Sequence, residues 1–380
     1  MGLKIKTSDQ VVADICSLYW SITDTGDFLY TVTQVAEQVS LKTHQIHGLV
    51  TENSTYLSNN TFCVVCEIPY PINSRKELLE HNNSPSESWM CPSCENDIHK
   101  NININKLSVL QNEFDHRSES LLTIDDLGFQ NAIYLLALIR HSADEGMYFI
   151  EPIINNHSSS FSPNQNFSSE VMNKLYRDEV ISILPHEDYL EGFNENEQGG
   201  LSFNILNVPF YILFNTELYS SLNDFRSALE EKISSLDYLE TDSDSVDQLM
   251  KRISIEECLE YLYLSLSERG FTFNAGEKTI GVLSKALENY SVAQVYNFIW
   301  QATKNASDFY MSKNTSKAHA ANTVVGYIEK TVERAQVNDW KMKAFQRNFN
   351  IQQSTISRAL FNTMLATDDG GFHKKLSSLA

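Results

Sequence analysis

Two cysteine pairs constrain this chain more than any other feature of its sequence. Cys63 and Cys66 form one CxxC pair, Cys91 and Cys94 form a second, and 24 residues separate the two pairs. A CxxC turn can present two thiolates to one ion, and four thiolates complete a tetrahedral shell with no position left for water. The sequence therefore predicts a structural Zn²⁺ site with these four cysteines as ligands. A redox role for the pairs is the alternative, but no βαβ pattern adjoins them.

Length and composition limit the class of protein. The 380 residues predict two or three domains. With 42% hydrophobic and 21% charged residues, the composition is that of a globular protein. The sequence contains no apolar run long enough for a membrane span, and its N-terminal residues lack the apolar core of a secretory signal. We therefore expect a cytoplasmic protein without a membrane partner, in which reduced cysteines favour a metal over disulfides.

The charge of the chain is unevenly distributed. The net charge is −20, but residues 301–380 carry 11 basic and 6 acidic residues. An acidic surface repels phosphate, so we expect any nucleic-acid contact to be concentrated near the basic C-terminal end. The alternative is that this basic end packs against the acidic body of its own subunit or of a neighbouring one.

Residues 32–53 have the pattern of a helix-turn-helix unit. Ala36 is small enough for two helices to cross closely, Ser40 occupies the turn, and Ile46 and Leu49 supply apolar positions on the second helix. This segment resembles the winged-helix and helix-turn-helix units of bacterial regulators, although such units usually carry glycine where Ser40 stands. The resemblance implies that the exposed face of the second helix contacts DNA through Lys42, Thr43 and Gln45. A three-helix unit that binds protein is the alternative.

Residues 345–361 form a second candidate of the same kind. Asn350 occupies the turn, whereas Ile351, Ile356 and Leu360 are predicted to face inward. The segment resembles the turn and recognition helix of lactose-repressor-type regulators, apart from Gln346 in place of a small residue. The side chains expected to face nucleic acid are Gln353, Thr355, Ser357 and Arg358, with Lys341, Lys343 and Arg347 just upstream. The alternative is the closing helical hairpin of an all-α domain.

The predicted fold class is mainly α, with an N-terminal helix-turn-helix, a four-cysteine zinc ribbon and a larger helical domain with minor β structure. A segment rich in Asn and Ser, residues 155–169, is the clearest candidate linker. The predicted order is a winged-helix-like unit at 1–60, a zinc ribbon at 61–100, a helical connector at 101–154, the linker at 155–169, and a helical domain at 170–380 that ends in the second helix-turn-helix-like hairpin.

These features favour a DNA-binding regulatory protein with Zn²⁺ as its cofactor. Residues 304–330 resemble uncharacterised bacterial proteins encoded near mobile or defence genes, which implies an antiviral defence or mobile-element setting. The alternative is a non-catalytic subunit that docks a protein partner, or a second copy of itself, through the zinc ribbon and the helical domain. A cryptic hydrolytic enzyme is a third class, but the sequence has no phosphate-binding loop, metalloprotease or serine-hydrolase motif and identifies no catalytic group.

Overall fold

The chain divides into two compact units between Asn105 and Lys106. The computed structural model describes residues 2–83, 88–197, 199–235, 237–367 and 370–379. The fold is mainly helical, as predicted. The division falls inside one long helix, Pro92–Arg117. This helix also runs through the predicted boundary between ribbon and connector at residue 100.

The first unit combines helices with one three-stranded antiparallel sheet of order β1-β2-β3. Its elements, in chain order, are β1 (Gly2–Ile5), α1 (Gln10–Tyr19), α2 (Val32–Gln38), α3 (Thr43–Asn53), β2 (Ser54–Phe62), β3 (Pro69–Ile72), α4 (Arg75–Asn83) and the first part of α5 (Pro92–Arg117).

Local sequence explains where α2 and α3 begin and end. Thr31 and Gln34 form a reciprocal capping box at the start of α2. Ser40 follows α2 with a φ of +57°, so the turn needs the left-handed backbone that glycine adopts most readily. The Gln45 side chain then accepts a hydrogen bond from the Lys42 backbone N–H at 2.8 Å, which fixes the start of α3. Ala36 is buried, as the predicted close crossing requires.

The buried side chain of Arg75 connects several segments of the first unit. Its Nε donates to the carbonyl oxygen of Tyr19 at 2.8 Å, and its Nη1 donates to that of Tyr30 at 2.6 Å. The guanidinium lies 4.3 Å from the ring centres of both Tyr19 and Phe28. This basic side chain therefore serves the core of the unit rather than an exposed charged surface.

The second unit is a larger helical body with two small two-stranded sheets, β4–β7 and β5–β6. Its elements are α6 (Phe129–Ser142), α7 (Gln165–Arg177), β4 (Ser182–Ile183), β5 (Phe193–Glu195), β6 (Leu201–Phe203), β7 (Phe210–Tyr211), α8 (Leu222–Ser234), α9 (Asp237–Thr241), α10 (Ser243–Ser267), α11 (Glu277–Leu287), α12 (Val292–Ser312), α13 (Lys317–Val337), α14 (Thr355–Ser357) and a π-helical segment (Arg358–Met364). One buried cluster surrounds α6, and another surrounds α12 and α13.

The predicted linker at 155–169 lies within the second unit. Phe161 and Phe167 are buried in the core around α6, and the last part of the segment starts α7. The backbone carbonyls of Ser160 and Phe161 accept hydrogen bonds from Thr355 and Ile356 at 2.8 and 3.0 Å. The segment is mostly polar, but its two buried aromatic side chains hold it against the core.

The C-terminal segment differs from the predicted hairpin. After α13, residues 340–348 form no helix and lie along α12. Side chains of α12 hold this stretch, because Gln294 donates to the carbonyl of Met342 at 3.1 Å and Asn297 donates to that of Lys343 at 2.8 Å. The prediction of a helix before the turn at Asn350 is therefore wrong.

No helix among the described residues combines the length and the apolar character needed to cross a lipid bilayer.

Candidate metal centre

The first cysteine pair lies in the connection between β2 and β3. Cys63 directly follows β2, and its backbone N–H donates to the carbonyl of Ile68 at 2.8 Å. The Glu67 N–H returns to the Cys63 carbonyl at 3.0 Å, and Glu67 adopts a φ of +58°. These bonds close a tight turn, so the thiols of Cys63 and Cys66 are held on the same side of it.

The second pair lies at the start of a helix. Cys91 immediately precedes α5, and Pro92 takes the first helical position, where a missing N–H costs nothing. The N–H of Cys94 donates to the Cys91 sulfur at 3.4 Å. A helix start carries a partial positive charge, which favours negative groups close to it. The sequence predicts a ribbon around these cysteines, whereas in the structure the second pair lies at the start of a helix.

The four sulfurs form one cluster. The Sγ atoms of Cys63, Cys66, Cys91 and Cys94 all lie within 4.8 Å of one another, and those of Cys66 and Cys91 are 3.6 Å apart. A tetrahedral ion with sulfur ligands at about 2.3 Å places those sulfurs about 3.8 Å apart. None of these cysteines forms a disulfide. The cluster therefore fits a metal ion, as the sequence predicts.

Backbone hydrogen bonds favour the thiolate at one of the four cysteines, Cys63. Desolvation disfavours the Cys63 thiolate, but backbone N–H groups of Cys66, Cys91 and Val65 outweigh it and lower the pKa of the Cys63 thiol to about 6. The pKa of the Cys94 thiol is raised instead, chiefly by its hydrogen bond with the Cys66 thiol. Four thiolates thus need a cation between them to share the charge.

His81, which lies between the two cysteine pairs in the sequence, has other partners. His81 Nε2 lies 3.0 Å from the Ser58 hydroxyl and 3.1 Å from the Thr61 hydroxyl. Its ring stacks on Tyr70 with the ring centres 5.0 Å apart. His81 therefore stabilises the hairpin of β2 and β3, and the four cysteines remain the donor set.

The predicted nucleic-acid contacts of the first unit lie at the start of α3. Lys42, Thr43 and Gln45 are all exposed, as are His44 and His47. No acidic residue occurs between Ser40 and Thr51. The Gln45 side-chain oxygen is already used by the Lys42 backbone, which leaves its amide N–H₂ group for other contacts.

The predicted contacts near the C-terminus are divided by the fold. Lys341, Lys343 and Arg358 are exposed, and Gln353 is half-buried. Thr355 and Ser357 are buried, so the prediction that they face outward is wrong. Arg347 forms an ion pair with the buried Glu257 at 3.2 Å. Only part of the predicted set is therefore open to solvent.

Sequence reasoning missed an apolar surface around the first cysteine pair. Phe62, Val64, Val65 and Ile68 are each between 46% and 60% exposed. The sequence does show apolar residues between and around Cys63 and Cys66, but their spacing alone does not distinguish buried side chains from exposed ones. Single exposed apolar residues are ordinary, whereas a cluster of four is typical of a binding surface.

Comparison with known proteins found no relative of this chain. The chain matches no protein-family model, no curated protein and no solved structure.

Proposed function

We propose that this chain is a DNA-binding regulatory protein whose first unit is winged-helix-like, with α3 as the reading helix and a structural Zn²⁺ in the four-cysteine cluster. The observation that supports it most is the exposed start of α3, where Lys42, Thr43 and Gln45 lie in a stretch of sequence, residues 40–51, that contains no acidic residue. Lysine contacts phosphate, and threonine and glutamine side chains hydrogen-bond base edges. A setting in bacterial defence or a mobile element rests on the resemblance of residues 304–330 alone.

The arrangement around α3 supports this proposal. Helices α1, α2 and α3 pack around Ile15, Ala36, Ile46 and Val50, and the antiparallel pair β2–β3 follows α3 directly. A recognition helix followed by a β-hairpin is the arrangement in which a helix enters the major groove while the hairpin contacts the backbone. The turn at Ser40 takes the left-handed conformation for which related units use glycine.

The choice of zinc rests on the donor set. Four thiolates are soft ligands that suit Zn²⁺ in tetrahedral geometry. With all four positions filled by protein, the ion has no open site, so its role is structural. Because the cluster joins the β2–β3 connection to the start of α5, the ion would fix the hairpin beside α3.

The test is DNA selection and titration with the purified full chain. A bound duplex should lose affinity as salt rises, and Lys42→Ala with Thr43→Ala should weaken binding about tenfold or more. Lys76→Ala removes the same charge from the exposed face of α4 in the same unit and should have little effect. Absence of any retained duplex at low salt, or equal loss in both variants, would refute the proposal.

A protein-docking function is the second candidate, and the apolar surface of Phe62, Val64, Val65 and Ile68 favours it. Docking through apolar contacts is far less sensitive to salt than phosphate contact. Val64→Ser with Val65→Ser should abolish partner capture and leave DNA affinity unchanged, whereas Lys42→Ala should do the reverse. The two variants therefore distinguish the two functions.

A further inference from the structure

A cleft of about 840 Å³ lies within the second unit. Its walls are the segment at 153–168, the loop at 204–207, His141, one face of α10 and the start of α11 with Ala275 just before it. Volumes of this size are typical of sites for small molecules. None of the residues to which we assign DNA contact or zinc binding lines this cleft.

Three charged residues at four-residue spacing follow one face of α10 along the cleft. Arg252, Glu256 and Glu260 are successive neighbours on a helix surface and all three line the cleft. Arg252 Nη2 lies 3.0 Å from Glu256 Oε1 and 2.7 Å from a carboxylate oxygen of Glu170. The single guanidinium is thus shared between two carboxylates.

Glu256 is held firmly in this row. It is only 5% exposed, and its second oxygen accepts a hydrogen bond from the Asn164 side chain at 2.6 Å. Arg252 and Asn164 therefore satisfy both oxygens of Glu256. A buried and fully paired carboxylate gives the cleft a fixed wall.

Glu260 is the exception in this row. It forms no hydrogen bond or ion pair with the described residues, and the next position along the same face is Leu264. Burial raises the pKa of its carboxyl group. Among the lining residues, Arg252 is the only Lys or Arg, and it is already engaged. His141 and His157 also line the cleft, but neither forms an ion pair with Glu260, so the Glu260 carboxylate faces the cleft without a partner among the described residues.

We propose that this cleft binds a small organic cation whose amine or guanidine group pairs with Glu260. Tyr263, Leu259 and Ala275 line the same cleft and would contact the hydrocarbon part of the ligand. A carboxylate in a partly desolvated site binds an ammonium or guanidinium group by charge-assisted hydrogen bonds. Anionic ligands such as nucleotides are disfavoured there, because the second carboxylate leaves the row with a net negative charge.

The test is isothermal titration of the full chain, without DNA, against putrescine, agmatine and tyramine at physiological salt. Butane-1,4-diol has the carbon chain of putrescine without its charges and is the matched probe. We expect saturable binding of at least one amine at one site per chain and none of the diol. Failure of all three amines to bind saturably would overturn the proposal.

Two variants locate the binding. Glu260→Gln should lower affinity about tenfold or more, as expected when a charged hydrogen bond is lost. Glu268→Gln removes an exposed charge at the end of the same helix and should leave affinity unchanged, whereas equal loss in both would mean diffuse attraction to an acidic protein and would refute the site. Ala275→Trp should block the cleft and abolish binding, with circular dichroism confirming that this variant is folded; binding retained by the folded variant would also refute it.

Discussion

Ser357 donates a hydrogen bond of 2.9 Å to the carboxylate of Glu257, 100 positions earlier in the chain. The other Glu257 oxygen lies 3.2 Å from Arg347, whose guanidinium stands 4.3 Å from the centre of the Phe372 ring. Glu257 and Ser357 are both buried. A basic residue of the C-terminal segment thus pairs with an acidic residue of its own chain, which is one of the two alternatives that the charge distribution left open.

Arg347→Ala should destabilise the chain by about 3–5 kcal/mol, because it leaves the Glu257 carboxylate buried without a counter-ion. Ser357→Ala removes one hydrogen bond to the same charge and should destabilise it by about 1.5–3 kcal/mol. Urea unfolding measures both changes. Lys343→Ala, which removes an exposed charge four residues earlier, should change the free energy of unfolding by less than about 0.5 kcal/mol. Equal effects of Arg347→Ala and Lys343→Ala would contradict the buried pair.

The same contacts explain why the second helix-turn-helix candidate could not be judged from its sequence. The predicted inward positions Ile351, Ile356 and Leu360 are indeed buried. Thr355 and Ser357 are buried as well, because their polar groups find partners on other segments. Hydrophobic periodicity identifies one packed face of a helix. It does not reveal a polar face that is satisfied by distant parts of the chain.

The first unit was more predictable because its signals are local. The two helices expected within residues 32–53 correspond to α2 (Val32–Gln38) and α3 (Thr43–Asn53). Capping residues and a small residue at the crossing lie within a few positions of the backbone they control. The spacing of the cysteines likewise predicted that they meet, but it could not show that the second pair begins a helix.

Ser40→Gly should stabilise the first unit by about 0.5–1 kcal/mol. Ser40 is exposed and has a φ of +57°, a conformation that is strained by roughly 1–2 kcal/mol for residues with a Cβ atom. Glycine removes that strain. It also increases the conformational entropy of the unfolded chain, which offsets part of the gain in stability. Ser17→Gly on the exposed face of α1 should instead destabilise by about 0.5–1 kcal/mol. Thermal unfolding compares the two variants, and the same sign for both would contradict the strained turn.

The free energy of unfolding should decrease as the pH falls below about 6.5, and this decrease should depend on His141. Burial lowers the pKa of His141 and outweighs the opposite effect of the hydrogen bond between its Nε2 and the Ser159 carbonyl, which are 3.1 Å apart. The folded state therefore keeps this imidazole neutral, whereas the unfolded state takes up a proton as the pH falls through the ordinary histidine pKa. The unfolded state then binds more protons, so acid favours unfolding.

His141→Gln should flatten this part of the pH dependence of the free energy of unfolding. Chemical denaturation between pH 5 and pH 8, a range that brackets the ordinary histidine pKa, measures the difference between variant and native protein. His157→Gln is the matched control, because it replaces an exposed histidine 16 residues later in the same unit and removes no buried group. A slope that stays the same in His141→Gln would show that other groups cause the acid sensitivity.

Loss of the metal should unfold the hairpin beside α3 before it affects the rest of the chain. Cys91 is 2% exposed, and its sulfur lies 3.6 Å from that of Cys66. Cys91→Ser replaces a thiolate by a poor ligand, so elemental analysis should find one ion per chain in the native protein and far less in the variant. Structural zinc sites contribute about 10–16 kcal/mol of apparent binding free energy in peptides, so β2 and β3 should lose protection from amide exchange.

Ser93→Ala, an exposed change inside the same pair, should retain both metal and protection. Native protein that holds no metal, or a chelator that leaves the exchange of β2 and β3 unchanged, would rule out an ion as the element that orders this hairpin.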